Sequence, residues 1–255
     1  MKIAFHISFY YIPERFNFMN KMIKEINNYH YETDIYIHTN VSFPVYQLSP
    51  YKNGRIHIIV HDLTNENPFF LTWKCRTEIE KQKEDYDIFI YTEDDILIPK
   101  NTIKYWEKFS PLLSKIGYNL GFIRIEVDSR DDEIATDLHV MYKLNKLLKI
   151  NGSKYLLNDI NTYCAMWIYN KRDMNNFINS KYWDINNIPE YGRKYAIREA
   201  SAIGLHGKNN DTYKGTVIPL NTENKLLNEC KIYHLPNNYV YKFPNTRKHF
   251  YKLPY

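Results

Sequence analysis

"YDIFIYTEDDILIPKN", Tyr86 to Asn101, is the stretch on which the reading of the fold turns. Ile88 to Thr92 are all β-branched or aromatic, the composition of a buried strand. Glu93, Asp94 and Asp95 follow at once. Adjacent carboxylates repel one another, so such a cluster needs abundant water or a counter-cation. A solvated strand end leading into a turn meets the first condition, and a metal- or phosphate-handling site meets the second.

Upstream of this strand the chain alternates. "KIAFHISFY" (2–10) reads as a first strand, and Pro13 precedes a helix in which Phe16, Met19, Ile23 and Ile26 recur at helical spacing. "TDIYIHTN" (33–40) and "RIHIIVHDL" (55–63) are further strands. A helix over "FLTWKCRTEIEKQKEDY" (70–86) sets Leu71, Cys75 and Ile79 on one face, and the quoted strand is the fourth. Strands alternating with helices imply an α/β fold, with a mostly parallel central sheet flanked by helices.

Downstream, Asn101 is the expected cap of a helix carrying Tyr105, Trp106 and Phe109, and "LGFIRIEVDS" (120–129) is a strand. The pattern is then less regular. "DSRDDEIATD" (128–137) reads as an acidic loop, and "KLLKINGSKYLL" (146–157) as a hairpin turning at Asn151-Gly152. "INTYCAMWIYN" (160–170) is a strand followed by a short helix from Lys171, and Pro189 opens a helix through "EYGRKYAIREASAIGL". "GTVIPLN" and "CKIYHLPNNYV" are late strands. The economical organisation is one domain, with a first half over 1–100, a second half over 101–240 and a basic, aromatic tail over 241–255.

Composition bounds the function. A chain of 255 residues, 44% hydrophobic, can bury a sizeable core. A net charge of +5 suits an anionic ligand but is too mild to require nucleic acid, and no RNA-binding signature or zinc-finger spacing occurs. The three cysteines, Cys75, Cys164 and Cys230, are far apart in apolar settings, which predicts buried free thiols and a reducing compartment. No apolar run approaches a membrane span and the start does not read as a signal peptide, so a soluble, cytoplasmic protein is expected.

In open α/β sheets ligands bind beyond the carboxyl ends of the strands. Acids at such an end suit a hard divalent cation that keeps positions open for phosphate oxygens. An α/β half ending in Glu93-Asp94-Asp95 resembles the GT-A fold glycosyltransferases with their D-x-D-like motif. The resemblance implies a single GT-A-like domain, with a nucleotide-sugar-binding first half and an acceptor-binding second half. It implies Asp95 as the direct ligand of Mn²⁺ or Mg²⁺, with Glu93 nearer the ribose or a metal-bound water and Asp94 among the residues that bind the nucleotide sugar. It implies His234, at the end of a late strand broken by Pro236, as a further metal ligand, against the alternative of a hydrogen-bonded edge histidine.

In inverting members an acid near this part of the chain removes the acceptor's proton. Glu199 is the candidate, with Arg198 beside it to orient a carboxylate or phosphate and Glu190 as competitor; a solvated Arg-Glu pair is the plain alternative. Asp62, ending the third strand, stands where acids of similar enzymes meet the base, and His6, Ser8 and Tyr10 where base and ribose contacts are usual. Trp73 and Arg76, three residues apart, share a face, which gives Arg76 a phosphate or the acid cluster as partner (Lys74 is the lesser alternative), while core packing accounts for Trp73.

The activity implied is transfer of a sugar from a nucleotide sugar, UDP-sugar favoured, to a hydroxyl of a glycan or glycolipid. Another metal-dependent nucleotidyl or phosphoryl transferase is the rival enzyme, though "SFYYIPERF" has no Gly-rich phosphate loop and no P-loop motif occurs. A non-catalytic carbohydrate-binding module is the rival outside catalysis. The basic tail is expected either to fold over the donor site or to make a peripheral contact with an anionic membrane, a mobile solvated tail being the alternative.

Overall fold

The structure, a computed structural model, describes residues 1–188, 196–202, 215–242 and 246–253. In chain order the first half holds β1 (Lys2–Phe9), α1 (Phe16–Ile26), β2 (Glu32–Thr39), β3 (Ile56–Val60), α2 (Leu71–Lys81), β4 (Ile88–Glu93) and β5 (Ile96–Leu97). Then come α3 (Lys100–Lys115), β6 (Asn119–Leu120), β7 (Ile123–Val127), β8 (Glu133–His139), β9 (Leu147–Ile150) and β10 (Ser153–Asn158). The remainder is β11 (Met166–Asn170), α4 (Lys171–Ile178), α5 (Ile197–Ser201), β12 (Thr216–Pro219), β13 (Lys231–His234), α6 (Asn238–Lys242) and β14 (Arg247–His249). Two compact units result, Met1–Ile96 with Ala165–Gly204, and Leu97–Cys164 with Leu205–Tyr255. The halves expected to meet at residue 100 thus part at Ile96, and the chain later returns to the first unit.

The sheet of the first unit has the order β11-β4-β1-β2-β3. β1 runs parallel to β2 and to β4, β2 parallel to β3, and β11 closes the edge antiparallel to β4. Every residue of β4 is buried, as its unbroken apolar run requires of a strand covered on both faces. Ile3, Phe5, Ile7 and Phe9 alternate onto one face of β1, where Phe9 meets Phe16 at the start of α1 edge-on at 5.3 Å. α2 lies against β1 and β2. Besides Leu71, Cys75 and Ile79, α2 buries Trp73, as core packing requires, and also Arg76, for which a phosphate or acid partner was expected. The α5 segment supplies the second cover, for Trp73 packs with Ile188 and Ala200 and its Nε1 donates to the Ile197 carbonyl at 2.9 Å.

In the second unit β6, β12, β10 and β9 form one sheet. The Asn151-Gly152 hairpin forms as read, with both residues at positive φ (48° and 82°) between the antiparallel β9 and β10. In the other sheet β14, β8, β7 and β13 are successive neighbours. The strand expected over 120–129 is broken into β6 and β7 at Gly121, where a Cβ would stand 2.7 Å from Ile218 Cγ1. The acidic loop ends at Asp132, where β8 begins. α3 starts one residue before Asn101, with Pro99 at the cap position. The strand expected over 160–170 is confined to β11, after Ala165 at φ 57°. Within the tail, β14 pairs antiparallel with β8 and Lys248 is buried, so this part of it is not a solvated tail. Cys75, Cys164 and Cys230 are free and buried, as expected. Among the described residues no helix is long and apolar enough to cross a membrane.

Candidate functional site

The chain enters the first sheet at β1, steps outward to β2 and β3, and then crosses back to β4 on the other side of β1. That reversal of order is a topological switch point, the place where open α/β sheets bind ligands. The register sets Ser8 of β1 opposite Glu93 of β4. A cleft of about 160 Å³ opens there. Ser8, Tyr10 and Arg15 line it from β1 and its loop, Phe69 from the α2 side, Glu93 and Asp94 from β4, and Arg198 from α5.

The acids have little water. Glu93, Asp94 and Asp95 are 8%, 5% and 6% exposed, so of the two conditions set by the sequence the counter-cation is the one met. Arg15 supplies it. Its Nε and Nη2 donate to the two oxygens of Asp94, each at 2.5 Å, and Nη2 also donates to Asp95 Oδ2 at 2.7 Å. Arg198 Nη1 donates to Glu93 Oε2 at 3.3 Å and stacks on Phe69, 4.4 Å from the ring centre. Arg15 is the cleft-lining cation that the sequence reading missed. The signal was available, because it is the cation of the short turn between β1 and α1.

Burial pushes the Asp94 carboxyl up to about 7; the Arg15 bond opposes this, and the charges of Asp95 and Glu93 add to it. Burial would lower Arg15, but Asp94 and Asp95 outweigh it and hold the guanidinium above its ordinary range. The linkage has a definite sign. The unfolded chain releases the Asp94 proton near the ordinary carboxylate value and the folded chain near 7, so this group's contribution to stability falls as pH rises across that interval. Carbon-detected NMR of the aspartate carboxyls should show one group titrating near pH 7. A spectrum with every aspartate ionised by pH 5 would remove Asp94 from this role.

The donor set bears on a metal. One guanidinium nitrogen is shared by Asp94 and Asp95, so two carboxylates converge on a single positive centre. Oxygen ligands of this kind suit Mn²⁺ or Mg²⁺, which use one or two carboxylates and complete their shell with water and substrate phosphate. The pair therefore fits such an ion, provided Arg15 yields. A cage of protein ligands is a different matter, for among the described residues no three His, Cys, Asp or Glu are grouped to hold a metal. Asp95 belongs to the first unit and His234 to the second. His234 meets Glu126 through Nδ1 at 2.5 Å, the hydrogen-bonded alternative for this residue.

The other residues singled out from the sequence are dispersed. Arg76 is corrected: its guanidinium donates to the carbonyls of Tyr182, Trp183 and Ser201, stacks on Trp73 at 3.9 Å and does not line the cleft. His6 is fully buried, its Nδ1 3.0 Å from His38 Nε2, while His38 Nδ1 lies 2.9 Å from His61 Nε2. Burial holds His6 down at about 3 and lowers His38 and His61 as well, so this row stays neutral at pH 7, inside the sheet and away from the cleft lining. Asp62 is exposed and turns back on Thr64, accepting from its backbone N and hydroxyl. Glu199 is next to the cleft-lining Arg198 but does not itself line the cleft, and its Oε2 is buried with no hydrogen-bond partner among the described residues. Pro189 and Glu190 lie outside the described residues.

The fold is mixed α/β, with helices flanking the sheets. No protein-family model matches the sequence, and no curated protein matches it. Among solved structures the chain is similar to TarS of S. aureus, a glycosyltransferase, at 8% identity and a TM-score of 0.39. The likeness covers 69% of this chain and 29% of TarS, so this chain spans less than a third of that protein's length. At that TM-score the likeness assigns neither an activity nor a ligand.

Proposed function

We propose that this protein is a glycosyltransferase that moves a sugar from a nucleoside diphosphate sugar, UDP-sugar favoured, to a hydroxyl of a glycan or glycolipid acceptor, with inversion. The observation that carries the proposal is the switch-point cleft whose buried acids are held by Arg15 and Arg198. A diphosphate entering the cleft meets two guanidinium groups, each suited to bidentate recognition of phosphate oxygens. Tyr10 and Phe69, both exposed in the lining, offer faces on which a base can stack. Mn²⁺ or Mg²⁺ at Asp94 and Asp95 would supply Lewis-acid neutralisation of the departing diphosphate.

In this reading Arg15 transfers from the carboxylates to the phosphates as donor binds, which frees Asp94 and Asp95. Arg198 keeps Glu93 in place beside the ribose. Glu199 is the proposed proton acceptor for the attacking hydroxyl.

Calorimetric titration with nucleoside diphosphates, with Mn²⁺ and with chelator, tests binding; release of nucleotide from sugar nucleotides tests transfer. UDP should bind, and Glu199→Gln should retain that affinity while losing about 10²-fold or more in kcat. Full turnover in Glu199→Gln would reject Glu199 as the base. Absence of binding by any nucleoside diphosphate refutes the proposal.

A further inference from the structure

The second unit carries a basic groove that the chemistry above does not use. β14 pairs with β8, and Val140 N donates to the Thr246 carbonyl at 2.9 Å, which sets the Val140–Tyr142 turn beside Arg247. The groove, of about 500 Å³, is lined by Val140, Arg247, Lys248, His249 and Lys252. Lys143 adds positive charge from the flank, acting on Lys248. The nearby acids are already engaged. Asp128 and Asp132 pair with Arg130 at 3.0 and 3.4 Å, Asp132 also stands 3.9 Å from His249, and Glu133 pairs with Lys231 at 2.5 Å. Burial, and then the charge of Lys143, hold the Lys248 ammonium below its ordinary range, so an anion arriving in the groove relieves both penalties.

Charge alone would suit any phosphate, free or attached. The rim narrows the choice. Val140, Met141, Tyr142 and Tyr251 are exposed, Met141 at 72% and Tyr251 at 67%. A soluble phosphate makes no use of such side chains. Basic groups that meet headgroup phosphates, beside apolar and aromatic side chains that enter the headgroup boundary, are the makings of an interfacial contact.

We propose that the β8–β14 edge of the second unit is a docking site for an anionic phospholipid surface, with Arg247, Lys248 and Lys252 on lipid phosphates and Met141, Tyr142 and Tyr251 in the headgroup layer. The proposal is independent of the switch-point cleft and stands whether or not the protein transfers sugar. The full chain should float with vesicles of equal parts phosphatidylcholine and phosphatidylglycerol, and not with pure phosphatidylcholine. Lys252→Glu, at an exposed position, reverses one charge and should lower partitioning about 30-fold, two charge steps at the usual worth of a basic residue near such a surface, with no change in melting temperature. Met141→Asp should also weaken partitioning. Added salt should release the protein. Failure to bind anionic vesicles overturns the proposal, as does unchanged partitioning of both variants. Shifts of the groove's NMR resonances on adding inorganic phosphate, without vesicle binding, would make it a soluble-anion site and overturn the lipid assignment.

Discussion

Replacing Arg15 by alanine should cost about 3–5 kcal/mol of stability at pH 8, the usual penalty for removing one partner of a buried ion pair. The reason is local. Asp94 and Asp95 are buried and the half-buried guanidinium satisfies both, so its removal leaves two buried carboxylates without their cation. The loss should depend on pH with a definite sign. Without the guanidinium the buried Asp94 carboxyl holds its proton to still higher pH in the folded state, while the unfolded chain releases it near 4. Stability of the variant therefore keeps falling as pH rises beyond 7, and at pH 5, where the folded chain holds the Asp94 proton with or without Arg15, the deficit should shrink. Urea denaturation at the two pH values measures it, and equal deficits at both would mean that Arg15 acts through packing and not charge. The same variant reports on the metal. If Asp94 and Asp95 suit a divalent cation, Mn²⁺ should restore part of the lost stability, by mass action on the folded state. No recovery at millimolar Mn²⁺ would leave Arg15 as the resident cation of the site and would count against metal-assisted transfer.

The acids and their strand were legible because two strong signals adjoin: an apolar β-branched run, and then charges that no buried strand tolerates without a partner. The sequence could say that a cation was required but not which one. Arg15 is about eighty positions away, and only the parallel pairing of β1 with β4 brings it to the cluster. The Asn151-Gly152 hairpin was legible for the opposite reason, since its pairing is local and its turn needs positive φ at both residues. β14 was not legible: three residues, Arg-Lys-His, carry no strand signature, and their partner β8 lies more than a hundred positions earlier in what read as an acidic loop. Gly121 hides a break inside an apolar run that looks continuous, because the cause is the approach of Ile218 and Thr216 from another strand. Helical spacing placed Trp73 and Arg76 together correctly. It could not reveal that this face of α2 is covered too.

That covered face yields the other large effect. Arg76→Leu should cost about 4 kcal/mol, a severe loss for a domain of ordinary stability. Among the described residues no ion pair to a carboxylate holds the guanidinium. It is fixed by the carbonyls of Tyr182, Trp183 and Ser201 and enclosed by the rings of Trp73, Phe177 and Trp183. Burial lowers it only to about 10, so it remains charged at pH 7 and its hydrogen bonds are charge-assisted. Leucine fills part of the volume but strands three carbonyls, each worth about 1–3 kcal/mol if left buried without a donor. Lysine keeps the charge and loses the planar fork and the stacking, so Arg76→Lys should recover about half of the loss. Because this side chain ties α2 to Tyr182 and Trp183 and to Ser201 at the end of α5, the damage should spread to Arg198, which lines the cleft from α5. Thermal unfolding of both variants, with nucleoside diphosphate titration of Arg76→Lys, separates structure from binding. The expected result is a melting temperature lowered by about 4–8 °C in the lysine variant, with nucleotide affinity changed less than Arg198→Ala changes it. A lysine variant that melts like the parent yet binds nucleotide more weakly would return Arg76 to the phosphate role that its helical position first suggested.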